Sequence, residues 1–149
     1  MQSLFTKSAY DEILTRLDNL SPESQAQWGK MTVAQMLAHC SEPLKVPLEK
    51  LKMAKPNPIM KLLFSFFKKS LYDDKPWKQG LPTSKEFKIV DQRDFQEEKE
   101  QLKSLIDEFY AERDKTDWPP HPFCGHFTTE QWGQMQYKHL DHHFRQFGA

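Results

Sequence analysis

Apolar residues recur at helical spacing along most of this chain, and no run of clean alternation appears. Over Leu4 to Asp18, Ile13, Leu14 and Leu17 share one face, and Ser21-Pro22 stops that helix or starts a new turn. Ser21-Pro22-Glu23-Ser24 reads as a short helical turn with Pro at its first position. Thr32-Val33-Ala34-Gln35 is a capping box: the Thr hydroxyl can accept from the amide of the third helical residue, and the Gln side chain can return to the Thr amide. The helix that should follow carries Val33, Met36, Leu37, Cys40, Leu44, Leu48 and Leu51 as its apolar stripe. Pro43 and Pro47 interrupt it, which predicts a kink or a break into two pieces.

Lys55-Pro56-Asn57-Pro58 reads as a break, with Asn57 as a cap and Pro58 in the first turn of a second piece, Ile59 to Ser70. That piece holds Met60, Leu62, Leu63, Phe64, Phe66 and Phe67. A membrane-surface helix would share these features, but its polar positions are few and its basic edge is modest. A lid packed on the rest of the chain, or a self-association face, is the favoured reading. Leu71 to Val90 is irregular, with Pro76, Gly80 and Pro82. A long helix returns from about Asp94 to Arg113, with Phe95, Leu102, Leu105, Ile106, Phe109 and Tyr110, and its acidic start suits the helix dipole. Asp117 to Phe127 is a Pro-rich, aromatic loop. Thr128-Thr129-Glu130-Gln131 is a second capping box and opens the last helix, to about Phe147. The expected fold is all-α: an up-down four-helix bundle with a helical insertion between the second and third main helices, forming one domain over residues 1–149.

Composition narrows this little but excludes several classes. A chain of 149 residues buries roughly two-thirds of its unfolded surface, enough for a sizeable core. Lys+Arg and Asp+Glu are both 21, so there is no global pull toward nucleic acid or an acidic membrane. Eleven Phe, four Trp and four Tyr argue against disorder, and five Gly do not suit a turn-rich β fold. The two cysteines, Cys40 and Cys124, form no CxxC pair, which leaves zinc-ribbon and thioredoxin-type sites unsupported and makes a reducing compartment the default. No signal peptide is visible, and the apolar stretch Ile59 to Phe67 is far short of the roughly 20 residues of a membrane span. A soluble cytoplasmic chain is expected.

The candidate chemistry lies in the last helix, in Tyr137-Lys138-His139-Leu140-Asp141-His142-His143. At about 100° per residue, Trp132, Gln136, His139, Leu140, His143 and Phe147 fall in one arc, Lys138, Asp141 and Arg145 lie opposite, and His142 falls at the edge. Histidines at i and i+4 stand one turn apart on one face, where their ring nitrogens can converge on one ion with bonds of about 2.0–2.1 Å. The same pattern also suits two hydrogen-bonded core histidines. A third ligand is not evident from spacing. His39 falls with Thr32 and Gln35, off the apolar stripe, and periodicity places it at the surface. His121 and His126 flank a turn built on Pro122 and Gly125, which they either shape or use to line a pocket. There is no HExxH, GxSxG, Walker A or dinucleotide fingerprint.

The sequence resembles a known family over nearly its whole length, most specifically in the last helix. Trp28-Gly29-Lys30-Met31-Thr32-Val33-Ala34-Gln35-Met36-Leu37-Ala38-His39 resembles the second-helix signature of the DinB/YfiT-like superfamily. The His121-to-Gly125 loop, Trp132-Gly133 and Tyr137 to Gly148 resemble one branch of it whose reaction is unknown, and Leu81-Pro82-Thr83 and Asp94-Phe95 match loosely. The resemblance implies a four-helix bundle, often dimeric. It also implies a divalent metal site, zinc or nickel, built from one His of the second helix and a His-x-x-x-His pair of the last. Carried over by motif, these are His39, His139 and His143. Superfamily members include S-transferases that use low-molecular-weight thiols and a thiol-dependent isomerase. Fold and metal site transfer better than substrate.

Two functions from different classes follow. The first is a metal-dependent enzyme, of thiol S-transferase or hydrolase type, because three imidazoles leave a coordination position open. The missing helical Glu weakens a self-contained hydrolase, so a base would come from elsewhere: a water positioned by Gln35, His121 or His126. The insertion Ile59 to Tyr72 would then cover the site and select the substrate. The second is a non-catalytic helical module that binds a small apolar ligand or a protein partner through the insertion and the loop around Trp118. Vestigial histidines with no metal are a third reading.

Overall fold

There are four long helices and one shorter one, α1 (Lys7–Asp18), α2 (Val33–Lys45), α3 (Pro58–Phe67), α4 (Phe95–Ala111) and α5 (Thr129–Gln146), and α2, α3 and α5 start at the capping signals read in the sequence. The computed structural model describes residues 1–54 and 56–149. Lys55, part of the expected break, and the side chain of Leu63 lie outside the described residues. Among the described residues there are no strands, only an isolated antiparallel bridge between His121 and Gly125.

Both capping boxes form. Thr32 Oγ1 accepts from the Gln35 amide while Gln35 Oε1 accepts from the Thr32 amide, and Thr128 and Gln131 repeat the exchange. Asn57 caps α3 and Asp94 caps α4. Each such cap is worth typically ~1 kcal/mol. The short turn at Ser21–Ser24 does not develop into a helix.

α1 and α2 each pack against both α4 and α5. Between them lie Ile13 and Leu17 of α1, Met36, Leu37 and Leu44 of α2, Leu102, Ile106 and Phe109 of α4, and Trp132, Leu140 and Phe144 of α5, all fully buried or nearly so. At roughly 1.5–3 kcal/mol for each large apolar side chain, this core is the main term holding the helices together. The segment before α1 crosses α5 at Gly133, where the Leu4 amide donates to the Gly133 carbonyl. A Cβ at that glycine would stand 2.1 Å from Ser3 Oγ, so only glycine permits the crossing.

The apolar stripe of α2 runs on to Leu51 in sequence, but the helix ends at Lys45, with Pro43 inside it. Pro47 has no amide to offer the Pro43 carbonyl, and Gln136 Nε2 of α5 donates to that oxygen at 2.9 Å instead. A buried glutamine thus satisfies a carbonyl that the proline pattern would leave orphaned.

Residues 68–94 run over α5 and α2 through two 3-10 turns, Lys68–Leu71 against α5 and Lys85–Phe87 against α2. The wrap corrects the helical-wheel placement of Lys138. That lysine is buried, and its Nζ donates to the Ser70 carbonyl at 2.7 Å, the Asp73 carbonyl at 3.0 Å and Asp73 Oδ1 at 2.6 Å. α5 is therefore covered on nearly all sides, which a two-sided wheel cannot express. α3 differs from the expected packed lid. It rests on the Lys68–Leu71 turn and on Phe123 through Phe64, with ring centroids 4.9 Å apart, while Ile59, Leu62, Phe66 and Phe67 are exposed.

Candidate metal centre

Each residue of the centre is set by a local feature already described. The Thr32 cap starts α2, and His39 sits two turns in. The Thr128 cap starts α5, and His139 and His143 follow one turn apart. Where α2 meets α5, the three rings converge. One ligand atom from each lies within 4.8 Å of the others, and no other described group of histidine, cysteine and carboxylate side chains clusters this way. His39, which periodicity places at the surface, is only 5% exposed, and His139 and His143 are 8% and 9% exposed. The polar side of α2 faces inward here because α5 offers it histidines rather than leucines, and residues 68–94 close over the contact.

Hydrogen bonds set two of the three tautomers. His39 Nδ1 lies 2.7 Å from the Phe87 carbonyl, which can only accept, so Nδ1 carries the proton and Nε2 presents its lone pair. Gln146 Nε2 donates to the Trp28 carbonyl at 2.7 Å, which fixes its amide and turns Oε1 toward His143 Nδ1 at 2.8 Å. His143 Nδ1 therefore also carries its proton, leaving Nε2 free. Gly29 helps hold this arrangement: its φ is +84°, and a Cβ there would stand 2.7 Å from Gln146 Nε2.

His139 has no such partner. Its Nε2 lies 3.1 Å from His39 Nε2, and its Nδ1 is buried with no hydrogen-bond partner. A proton on Nε2 satisfies His39 but leaves Nδ1 a buried, unpaired acceptor. A proton on Nδ1 sets two lone pairs against each other. Either way one buried nitrogen is unsatisfied, at a cost of about 1–3 kcal/mol. A cation shared by the Nε2 atoms removes the conflict between them. Two nitrogens bound to one tetrahedral zinc at about 2.0–2.1 Å would stand about 3.4 Å apart, close to the 3.1 Å seen. The residues present therefore fit a divalent ion.

The electrostatics agree. Burial pushes all three imidazoles toward the neutral, ligating form. His143 falls to about 3, chiefly by desolvation and then by His39. His139 drops well below the ordinary range through desolvation and the neighbouring His143 and His39. His39 is lowered by desolvation, against the opposing pull of the Phe87 carbonyl. Neutral imidazole is the metal-binding state.

Around the cluster, Trp77 places its ring 5.9 Å from both His139 and His142, with its indole N–H donating to the Ser70 carbonyl at 2.8 Å. His142 packs on Trp28 and stands 5.1 Å, centroid to centroid, from His143. It also walls a cleft of about 530 Å³ with Gln27, Trp28, Trp77 and Arg145. The cover over the histidines thus comes from residues after Tyr72, not from the α3 piece that sequence nominated.

Neither Gln35, the candidate for positioning a water, nor the candidate bases His121 and His126 join the centre. Gln35 is consumed by the capping box and by the Asp91 carbonyl. His121 Nδ1 accepts from the Phe123 and Cys124 amides, and its ring stacks on Phe127, so it shapes its turn. His126 is exposed. Cys40 is buried, and burial pushes its thiol up, as an inert core thiol requires. Gln146, the Phe87 carbonyl and Trp77 were missed in the sequence. Only Gln146 left a signal there, as a glutamine three residues after His143 on the same arc.

A family model described as "Protein of unknown function (DUF1569)" matches residues 2–149, so nearly the whole chain is covered. No curated protein and no solved structure matches the chain.

Proposed function

We propose that this chain, which belongs to the DUF1569 family of proteins of unknown function, binds one divalent metal ion through His39, His139 and His143. We read it as a metal-dependent enzyme, and zinc or nickel is the ion we expect. The observation that carries the reading is the meeting of three buried imidazoles, two of them with Nδ1 against backbone and amide acceptors. In this reading the fold is a DinB-like up-down four-helix bundle, one domain over residues 1–149, with the helical insertion Ile59 to Tyr72 between its second and third main helices. The match of motifs at His39 and His139-to-Gly148 supports it.

Three protein ligands leave a tetrahedral ion one open position. When bound, the ion would supply Lewis acidity toward a water or a low-molecular-weight thiol at that position. The chain's own residues do the rest. Phe87 and Gln146 hold His39 and His143 in the ligating tautomer. Trp77 and Trp28 limit water around His139 and His142. The cleft beside His142 is the route by which a small molecule approaches. Gln35, His121 and His126 supply no base, so thiol S-transfer, which needs only a stabilised thiolate, is favoured over hydrolysis.

The test uses the protein with cobalt in place of its native ion. Adding a low-molecular-weight thiol should shift the visible spectrum, and the thiol should then react with an added electrophile faster than in buffer. If a panel of such thiols does neither, the transferase reading is dropped.

A further inference from the structure

The neutral total charge of the chain conceals a segregation. Residues 50–72 contain six lysines and no acidic residue, which leaves the remainder of the chain at a formal net charge of −6. In the middle of that basic segment lies α3. Ile59, Leu62 and Phe66 form one ridge at i, i+3 and i+7, and Ile59 and Phe66 are 79% and 77% exposed. Phe67 adds to the ridge from one side and is more than half exposed. The other side of the helix faces the body of the protein through Phe64 on Phe123, and just past its end Lys68 donates to the His126 carbonyl. The apolar ridge therefore points away from everything the helix rests on.

We infer that α3 and its lysine-rich flanks dock on an anionic lipid bilayer, with the helix lying in the headgroup region. Lys52, Lys61 and Lys69 are exposed and make no ion pair among the described residues. They are placed to meet lipid phosphates while the ridge enters the acyl boundary. Spanning is excluded for this helix: ten residues at 1.5 Å each give about 15 Å, against about 30 Å of hydrocarbon. A two-fold dimer through the same face would set two such six-lysine segments against each other, which charge opposes and an anionic surface relieves. Apolar insertion and basic attraction are each weak alone, and reversible docking is the expected result of combining them. Docking does not depend on the histidines.

The experiment is co-sedimentation of the full chain with vesicles of phosphatidylcholine alone or mixed with phosphatidylglycerol. The chain should sediment with the mixed vesicles, not with the neutral ones, and high salt should release it. Lys61→Gln and Lys69→Gln should each weaken partitioning about fivefold. Leu62→Ser combined with Phe66→Ser should abolish it at any salt, with the circular dichroism spectrum unchanged because both side chains are exposed. Failure to sediment with the mixed vesicles overturns the inference. So does equal binding to both vesicle types. A concentration-dependent dimer that the serine variant dissociates, with no vesicle binding, would make a second copy the occupant and overturn it as well.

Discussion

His143 and Gln146 lie three residues apart on α5, and the Gln146 amide decides which nitrogen His143 presents to His39 and His139. Oε1 of the glutamine accepts from His143 Nδ1 at 2.8 Å, and its Nε2 is held by the Trp28 carbonyl at 2.7 Å. The loop before α2 therefore reaches a candidate ligand on α5 through one side chain. Gln146→Leu removes the acceptor and frees the ring to rotate. Metal affinity, measured by competition with a chromophoric chelator, should fall by roughly 10–100-fold.

Gly29→Ala attacks the same relay from the other end. It demands a left-handed backbone of a residue with a Cβ and presses that Cβ against Gln146 Nε2. The melting temperature should drop, by an amount corresponding to about 1–2 kcal/mol, and metal affinity should fall with it. Isothermal titration with the metal and thermal melts of the same sample check both.

Lys138→Met leaves the Ser70 carbonyl with the Trp77 indole alone, the Asp73 carbonyl without its donor and the Asp73 carboxylate without its cation. Asp73 is partly exposed and can turn to water, so the cost should be about 1–3 kcal/mol rather than that of a fully buried pair. Because the tether fastens residues 70–73 to α5, limited proteolysis within residues 71–90 should accelerate more than global unfolding does.

Acid should destabilise the fold through a residue outside the three-histidine cluster. Desolvation, and after it Lys68, lower His121 to about 4 from an unfolded value near 6.5. As pH falls below 6.5 the unfolded chain takes up this proton first. The stability from keeping His121 neutral is thus complete above about pH 6.5 and is lost progressively down to about pH 4. His121→Asn keeps an acceptor for the turn amides but does not titrate. Urea unfolding between pH 7.5 and 4 should show a smaller loss of stability in that variant than in the parent.

The helices were legible because their signals are local. Thr32 with Gln35 and Thr128 with Gln131 marked two starts, Asn57 and Asp94 two more, and the apolar stripes of α1 and α4 did the rest. What failed was the rule that polar means outward. His39 is polar and buried because its partners are other histidines. Lys138 is buried because a segment more than sixty residues away supplies three oxygens for it. The Phe87 carbonyl left no trace in sequence at all, since any residue there would provide the same oxygen. The histidine pair on α5 was visible as spacing, but which nitrogen His143 presents depends on Gln146 and on the Trp28 carbonyl that holds it, brought near by the tertiary fold.

His142 separates a metal centre from a mere histidine cluster. Its ring lies against Trp28, Trp77 and the cleft, not among the converging nitrogens. His142→Ala should therefore keep the metal and change what the cleft admits, seen as altered thiol binding to the cobalt form with unchanged metal stoichiometry.

The central claim is that His39, His139 and His143 together hold one ion, and elemental analysis of the purified chain tests it most directly. After expression in medium supplemented with zinc and nickel, the parent should carry close to one equivalent of a divalent metal. His39→Ala and His139→Ala, folded as judged by circular dichroism, should carry almost none. A parent chain that is metal-free under those conditions would contradict the account.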